Sequence, residues 1–296
     1  MKRPFFAAGT PLMLGIPKPL IIAMSANGPK RTKRDHLFLP VKLAELQASA
    51  LEARASGAAL FSCAPRDERG LASLDKAVCK ETVAALRETL EESALIQLEP
   101  DLTDMGAVES CARLLSDVKP DACLLPFGQL FPRDGDERDE DSARDLLDVC
   151  EELGIGVQFA MTDPSDVDWY YAFRQYGVIP ESQRALLFLL GDDGEEPSSN
   201  AHELRRYLAG LDKLHLLETV RWSVAAFGPQ ETVSLATAIA LGGQIAPGWA
   251  YNIHTVDGEP YSSQQQQVAV FGQLGMSLGR PQASAFEART LLFGPR

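Results

Sequence analysis

A chain of 296 residues with Lys+Arg 28 against Asp+Glu 41 has a formal net charge of -13, so it lacks the basic surplus with which proteins hold nucleic-acid phosphates. Its 45% hydrophobic and 23% charged residues supply a sizeable core and exclude intrinsic disorder for most of its length. No window offers the roughly 18 uninterrupted apolar residues of a membrane-spanning helix, which argues against a membrane role.

Residues 1–18 read as an N-terminal arm. Met1, Lys2 and Arg3 precede apolar residues as in a secretory leader, but Pro4, Pro11 and Pro17 interrupt them. From Pro19 to residue 296 the pattern is one domain in which short apolar runs alternate with helical spacing. Leu20–Ser25 is a first strand, ended by Asn27 and Gly28. Pro40 opens a helical stretch to Ser56 with Leu43, Leu46, Ala50 and Ala53 on one face, and Gly57 stops it. Further strands are expected at Ala58–Cys63, Leu95–Leu98, Ala122–Pro126, Ile155–Met161, Ala185–Leu190, Arg221–Ala226 and Gly243–Ala246, each followed by a helix. The runs are apolar throughout, as in parallel strands covered on both faces, and eight such units predict a (β/α)8 TIM barrel with C-terminal helices. An open doubly wound sheet is the rival, but no G-x-G-x-x-G or phosphate-binding loop follows any strand.

Two segments depart from the repeat. Arg133–Asp145, dense in acids, reads as a solvated loop running into a helix that carries Leu146, Leu147 and Val149. Ser262–Gln267 holds four successive glutamines and runs into Val268, Val270 and Phe271, which reads as a helix with a polar face. Five scattered cysteines, Cys63, Cys79, Cys111, Cys123 and Cys150, form no C-x-x-C pair, as expected of a reducing, cytoplasmic compartment.

In a barrel the strand C-termini face one mouth, so Cys63, Asp67, Glu99, Asp101, Gln158, Gln244, Tyr251 and Asn252 are the residues expected to converge there. Lys30, Arg31, Lys33 and Arg34 form the densest basic cluster, in the loop after the first strand, where they suit a carboxylate or phosphate. His36, His202, His215 and His254 form no paired metal-binding motif, although His36 and His254 come from neighbouring loops that could meet beside Tyr251.

Several stretches resemble the β-keto acid cleavage enzymes: Thr32–Lys33 with Leu39–Pro40, Ala58–Asp67 with Arg66–Asp67, Lys119–Asp121, Trp222–Val224 before Gly228, Gly242–Gly243, and Ala285–Arg289. The resemblance runs from about Pro19 to the end and implies an oligomeric barrel that binds zinc and a β-keto acid and cleaves a carbon–carbon bond with acetyl-CoA as co-substrate. In that family two histidines of an H-x-H-x-R-D stretch and a glutamate of a G-x-E-D-N stretch hold the zinc. Those positions read Ser62, Ala64 and Ala250 here. The acid beside the last ligand is Tyr251, an arginine of the eighth strand is Ala246, a glutamate of the first loop is Lys30, and a Ser-Thr-Gly-Gly-like turn is Leu98–Asp101. Arg66, Asp67 and Asn252 are retained as catalytic candidates, with Lys30, Cys63, Glu99, Gln158, Gln244 and Tyr251 as substrate-binding candidates. The expectation is a divergent barrel that binds a small keto acid or carboxylate, with no metal or cofactor of its own. The rivals are a non-catalytic paralogue that serves assembly or regulation, and an active enzyme with substitute ligands such as Cys63, Asp67 or His254.

Overall fold

The structure is a computed structural model that describes residues 18–191, 193–194 and 197–294. Of the expected arm only Lys18 falls among them. Eight parallel strands pair in sequence order: β1 (Ala23–Ser25), β2 (Leu60–Cys63), β3 (Leu95–Leu98), β4 (Ala122–Pro126), β5 (Gly156–Met161), β6 (Ala185–Leu190), β7 (Arg221–Ala226) and β8 (Gln244–Ile245). A parallel bridge between Ile22 and Ile245 joins the last strand to the first, and Ser25 N donates to Pro247 O at 2.9 Å across the same seam. The expected (β/α)8 barrel is therefore what the chain forms.

Alternation along each strand sends one set of side chains to the axis and the other to the surrounding helices. Ile21, Ala23, Leu60, Leu124, Ala160, Leu187, Ala225 and Ala246 form a buried cluster within the ring. Ile22, Met24, Phe61, Ile96, Leu125, Phe159, Phe188 and Val224 belong to a second cluster, shared with the helices. Both faces are thus buried, which is why the strands read as continuous apolar runs.

The helices are α1 (Leu43–Ala55), α2 (Lys76–Leu90), α3 (Ala107–Val118), α4 (Phe127–Leu130), α5 (Glu137–Leu153), α6 (Asp166–Gln175), α7 (Leu204–Lys213), α8 (Glu231–Ala240), α9 (Gln264–Ser277) and α10 (Ala285–Phe293). The acidic run after Arg133 is mostly helix, contrary to the loop expected. Asp136 accepts from Arg138 N and Asp139 N, and the Asp139 side chain accepts from Asp136 N in a capping box. Glu137, Asp139 and Glu140 in the first turn suit the positive end of the helix dipole. The glutamine run opens α9, and its period sorts it: Gln264 and Gln267 are buried, Gln265 and Gln266 exposed. Among the described residues no helix is long and apolar enough to cross a membrane.

Candidate active site

The C-terminal strand ends bring Ser25, Ser62, Glu99 and Tyr251 together at the barrel mouth. Glu99 follows β3 and donates its backbone N–H to Cys63 O at 2.9 Å, which fixes its side chain beside the end of β2. It is only 4% exposed. Burial pushes its carboxyl above the ordinary range, opposed in part by the hydroxyls of Ser62 and Ser25 and by the charge of Arg66. The hydroxyls approach without saturating the site: Glu99 Oε1 and Ser62 Oγ complete no hydrogen bond of regular geometry. The Tyr251 phenol lies against Ser25 and is raised by burial and then by the Glu99 charge. Its ring packs edge-on to Phe227 at 5.7 Å between centroids, within the cluster of Ala160, Ala225 and Ala246.

One layer deeper, Gln97 Nε2 donates to Gln158 Oε1 at 3.1 Å and Gln158 Nε2 donates to Ser223 Oγ at 3.2 Å. Beside the mouth a cavity of about 360 Å³ opens between the loops after β2 and β3, lined by Pro65, Leu74, Glu99, Asp101, Asp104 and Met105 among others. A larger one, about 910 Å³, lies at the opposite end, against Arg87, Leu95, Asp121, Phe286 and Arg289. Strand C-termini are where barrels place their chemistry, so the candidate site is the mouth itself; of its four residues only Glu99 reaches the smaller cavity, and another of about 500 Å³ lies at the loops after β3 and β4.

Asp101 lines the smaller cavity with Glu99; the other expected residues do not converge. Gln244 is at the other end of the barrel, where its Oε1 accepts from Ile21 N at 2.6 Å and Arg280 Nη2 at 3.2 Å, because it begins rather than ends β8. Gln158 sits mid-barrel in the amide chain. Cys63 belongs to the strand–helix cluster, since its neighbour Ser62 takes the inward position, and burial pushes its thiol far up, making it inert rather than nucleophilic. Asp67 folds its own turn: Oδ1 accepts from Arg69 N and Leu71 N, both at 2.9 Å. Lys30 is exposed on the rim. Beside it, Arg31 pairs with Asp193 at 2.6 Å and Lys33 with Glu45 at 2.8 Å. His36 packs against Trp249 at 4.0 Å, with Nε2 3.1 Å from Tyr261 O. Burial lowers its pKa, the Tyr261 carbonyl opposes this, and nearby His254 lowers it further.

Arg66 is a clamp. Its guanidinium donates to Pro29 O and Gly70 O at 3.2 Å, to Arg31 O at 3.0 Å, to Asn27 O at 3.4 Å and to Gly28 O. Asn252 supports the loop after β8: Nδ2 donates to Glu231 Oε2 at 3.0 Å and His254 O at 2.7 Å. The sequence reading passed over Ser25, Gln97, Glu231 and Gln267. For Gln267 the three-residue interval from Gln264 along a helix was a usable signal.

Ala64 N donates to Asn27 Oδ1 at 2.9 Å. Ala250 packs on Gly28, where a Cβ would lie 2.9 Å from the Ala250 methyl. Gly248 holds this loop against β1 with φ +147, and a Cβ there would meet Ser25 O at 2.0 Å. Gly248→Ala is accordingly expected to lower stability by roughly 3 kcal/mol, through strain at a special backbone position. A thermal melt indistinguishable from that of the unmodified chain would refute the close approach.

Comparison with known proteins separates fold from family. A D-allulose 3-epimerase from Methylomonas sp. is similar at TM-score 0.51 and 12% identity, over 90% of this chain and 100% of that one. A phospho-2-dehydro-3-deoxyheptonate aldolase from Thermotoga maritima is similar at TM-score 0.52 and 11% identity, over 88% and 71%. These show the barrel alone. Two 3-keto-5-aminohexanoate cleavage enzymes are relatives in sequence: that of Fusobacterium nucleatum is 23% identical over 277 residues, 92% of this chain and 97% of its own length. That of Acetoanaerobium sticklandii is 22% identical over 276 residues, 92% and 97%. The model of the β-keto acid cleavage enzyme family matches residues 19–293, nearly all of the barrel, and the chain belongs to that family.

Proposed function

We propose that this barrel binds a small keto acid at its mouth and has lost the zinc-dependent, acetyl-CoA-dependent cleavage of its family. The supporting observation is what stands at the positions that the family resemblance assigns to the zinc: the hydroxyl of Ser62 and the methyls of Ala64 and Ala250. Alanine has no donor atom and serine is a poor zinc ligand, so this set does not fit the ion. The substitute-ligand reading loses ground with Cys63 turned to the helices and Asp67 committed to its turn. Among the described residues no group of three or more His, Cys, Asp or Glu is disposed to hold a metal.

Glu99 takes up the polar work of the mouth. Burial favours its protonated form, which offers an O–H to a keto oxygen next to the unsatisfied Ser62 hydroxyl, while Lys30 on the rim meets the carboxylate. Both terminal nitrogens of Arg66 are occupied by loop carbonyls, and the residue acts by holding the first loop in place. The barrel assembles as a homo-oligomer in this reading, as its family does.

Metal analysis and a thermal-shift screen test the proposal together. Full-length protein purified without added zinc is expected to carry none in stoichiometric amount. Small β-keto acids are expected to raise its melting temperature, since a ligand at a hundred times its Kd stabilises by about 2.7 kcal/mol. One zinc per chain, with β-keto acid cleavage in the presence of acetyl-CoA, overturns the loss of the metal reaction. No response across a broad panel of keto acids and acyl-CoA compounds favours an assembly or regulatory role.

A further inference from the structure

The loop that frames the mouth is tied down by a buried group outside it. Glu231, the first residue of α8, has no exposed surface, and its Oε2 accepts from Asn252 Nδ2 at 3.0 Å and from Gln267 Nε2 at 2.8 Å. Gln267 Nε2 also donates to Asn252 O at 3.2 Å, so α8, α9 and the loop after β8 meet in one network. Among the described residues no cation forms an ion pair with Glu231. The groups that face it are the amides of Asn252 and Gln267, the N–H of Gly248 and the Tyr261 phenol, which feels its charge. His254 joins through its backbone carbonyl.

Two acceptors in this network are left over: Glu231 Oε1 and Gln267 Oε1 are both buried without a partner. The carboxyl and the amide already meet through their other atoms. A carboxylic acid and a primary amide pair by one N–H···O and one O–H···O bond, so a proton on Glu231 Oε1 directed at Gln267 Oε1 would satisfy both acceptors beside the existing Gln267 Nε2 contact. A buried carboxylate with amide donors but no cation, by contrast, carries a desolvation cost of several kcal/mol.

We propose that Glu231 is a neutral acid paired with the Gln267 amide, and that this pair is a pH-sensitive latch on the loop carrying Trp249, Ala250 and Tyr251. Burial, against the smaller pull of the Asn252 and Gln267 amides, pushes its pKa up to about 8, so the latch is closed at neutral pH. The folded value lies above the unfolded one. The stabilising contribution is therefore complete below the unfolded carboxyl value of 4.5, is lost progressively as pH rises to about 8, and changes no further above that. The inference concerns the frame of the mouth and holds whether or not a keto acid binds there.

The test is infrared spectroscopy of the full chain with Glu99→Gln and Asp166→Asn as background, which removes the other two buried carboxyls among the described residues. A protonated-carboxyl C=O band is expected at pH 7, halved near pH 8 and absent when Glu231→Gln is added. Trp249 emission, read with Trp169 and Trp222 changed to Phe, is expected to shift over the same pH range only while Glu231 is present. Should glutamine at 231 fail to fold, Glu231→Met fills the same volume and must also lose the band. A band that survives either substitution, or a Trp249 shift that persists without Glu231, overturns the latch.

Discussion

Arg66→Ala is expected to lower the unfolding free energy by roughly 3 kcal/mol or more, read as an earlier urea midpoint with an unchanged slope. The guanidinium reaches the carbonyls of Asn27, Gly28, Pro29, Arg31 and Gly70, and is 8% exposed. Removing it strips the first loop of its anchor to the turn after β2 and leaves several carbonyls without a donor. Lysine at this position keeps the charge but not the planar fork, and is expected to recover less than half of the loss. A group that served substrate alone would leave the urea midpoint in place and change only ligand response. An unchanged midpoint in Arg66→Ala thus sinks the clamp and returns Arg66 to the catalytic candidates.

The same residue shows where sequence reading succeeds and where it stops. The strands were legible because parallel strands buried on both faces read as apolar runs, so Leu95–Leu98 and Ala185–Leu190 appear with the expected bounds. The first and last strands are shorter than expected, since Leu20 bridges Gln282 and Ile22 bridges Ile245 outside the regular ladder. Residue type also marked Arg66, Glu99 and Tyr251 for attention. Direction was not legible. A one-residue step turns a strand side chain from the axis to the helices, which is why Cys63 is in the outer core while Ser62 is at the mouth. Position along a strand was equally hidden, and Gln244 belongs to the opposite end for that reason. Glu231 and Gln267 meet only because α8 and α9 are neighbours in the barrel shell, and no local spacing encodes that meeting.

The second large effect centres on Glu99. Burial raises its carboxyl above the ordinary range, with Ser62 and Ser25 and then Arg66 pulling the other way. Its contribution to stability is therefore full below the unfolded carboxyl value and is lost as pH climbs through the folded one. Glu99→Gln keeps the shape and the polar contacts to both serines but cannot ionise. It is expected to be more stable than the unmodified chain at pH 8, with a smaller difference at pH 5, and to keep its thermal response to keto acids, because an amide N–H replaces the acid O–H toward the keto oxygen. Glu99→Leu fills a similar volume without any donor, so its fold survives. Replacing a buried ion pair by packed apolar side chains is often neutral or stabilising by about 1–4 kcal/mol. Losing this carboxyl, which has no ion-pair partner at contact distance among the described residues, is expected to leave the fold intact, yet the ligand response is expected to vanish. Melting curves at the two pH values, with and without a small β-keto acid, separate the cases. If leucine preserves the ligand-induced shift, Glu99 is a buried structural acid and the mouth binds its ligand by other groups. If glutamine abolishes the shift while leucine and glutamine fold alike, the ionised carboxylate and not the neutral acid is the binding form.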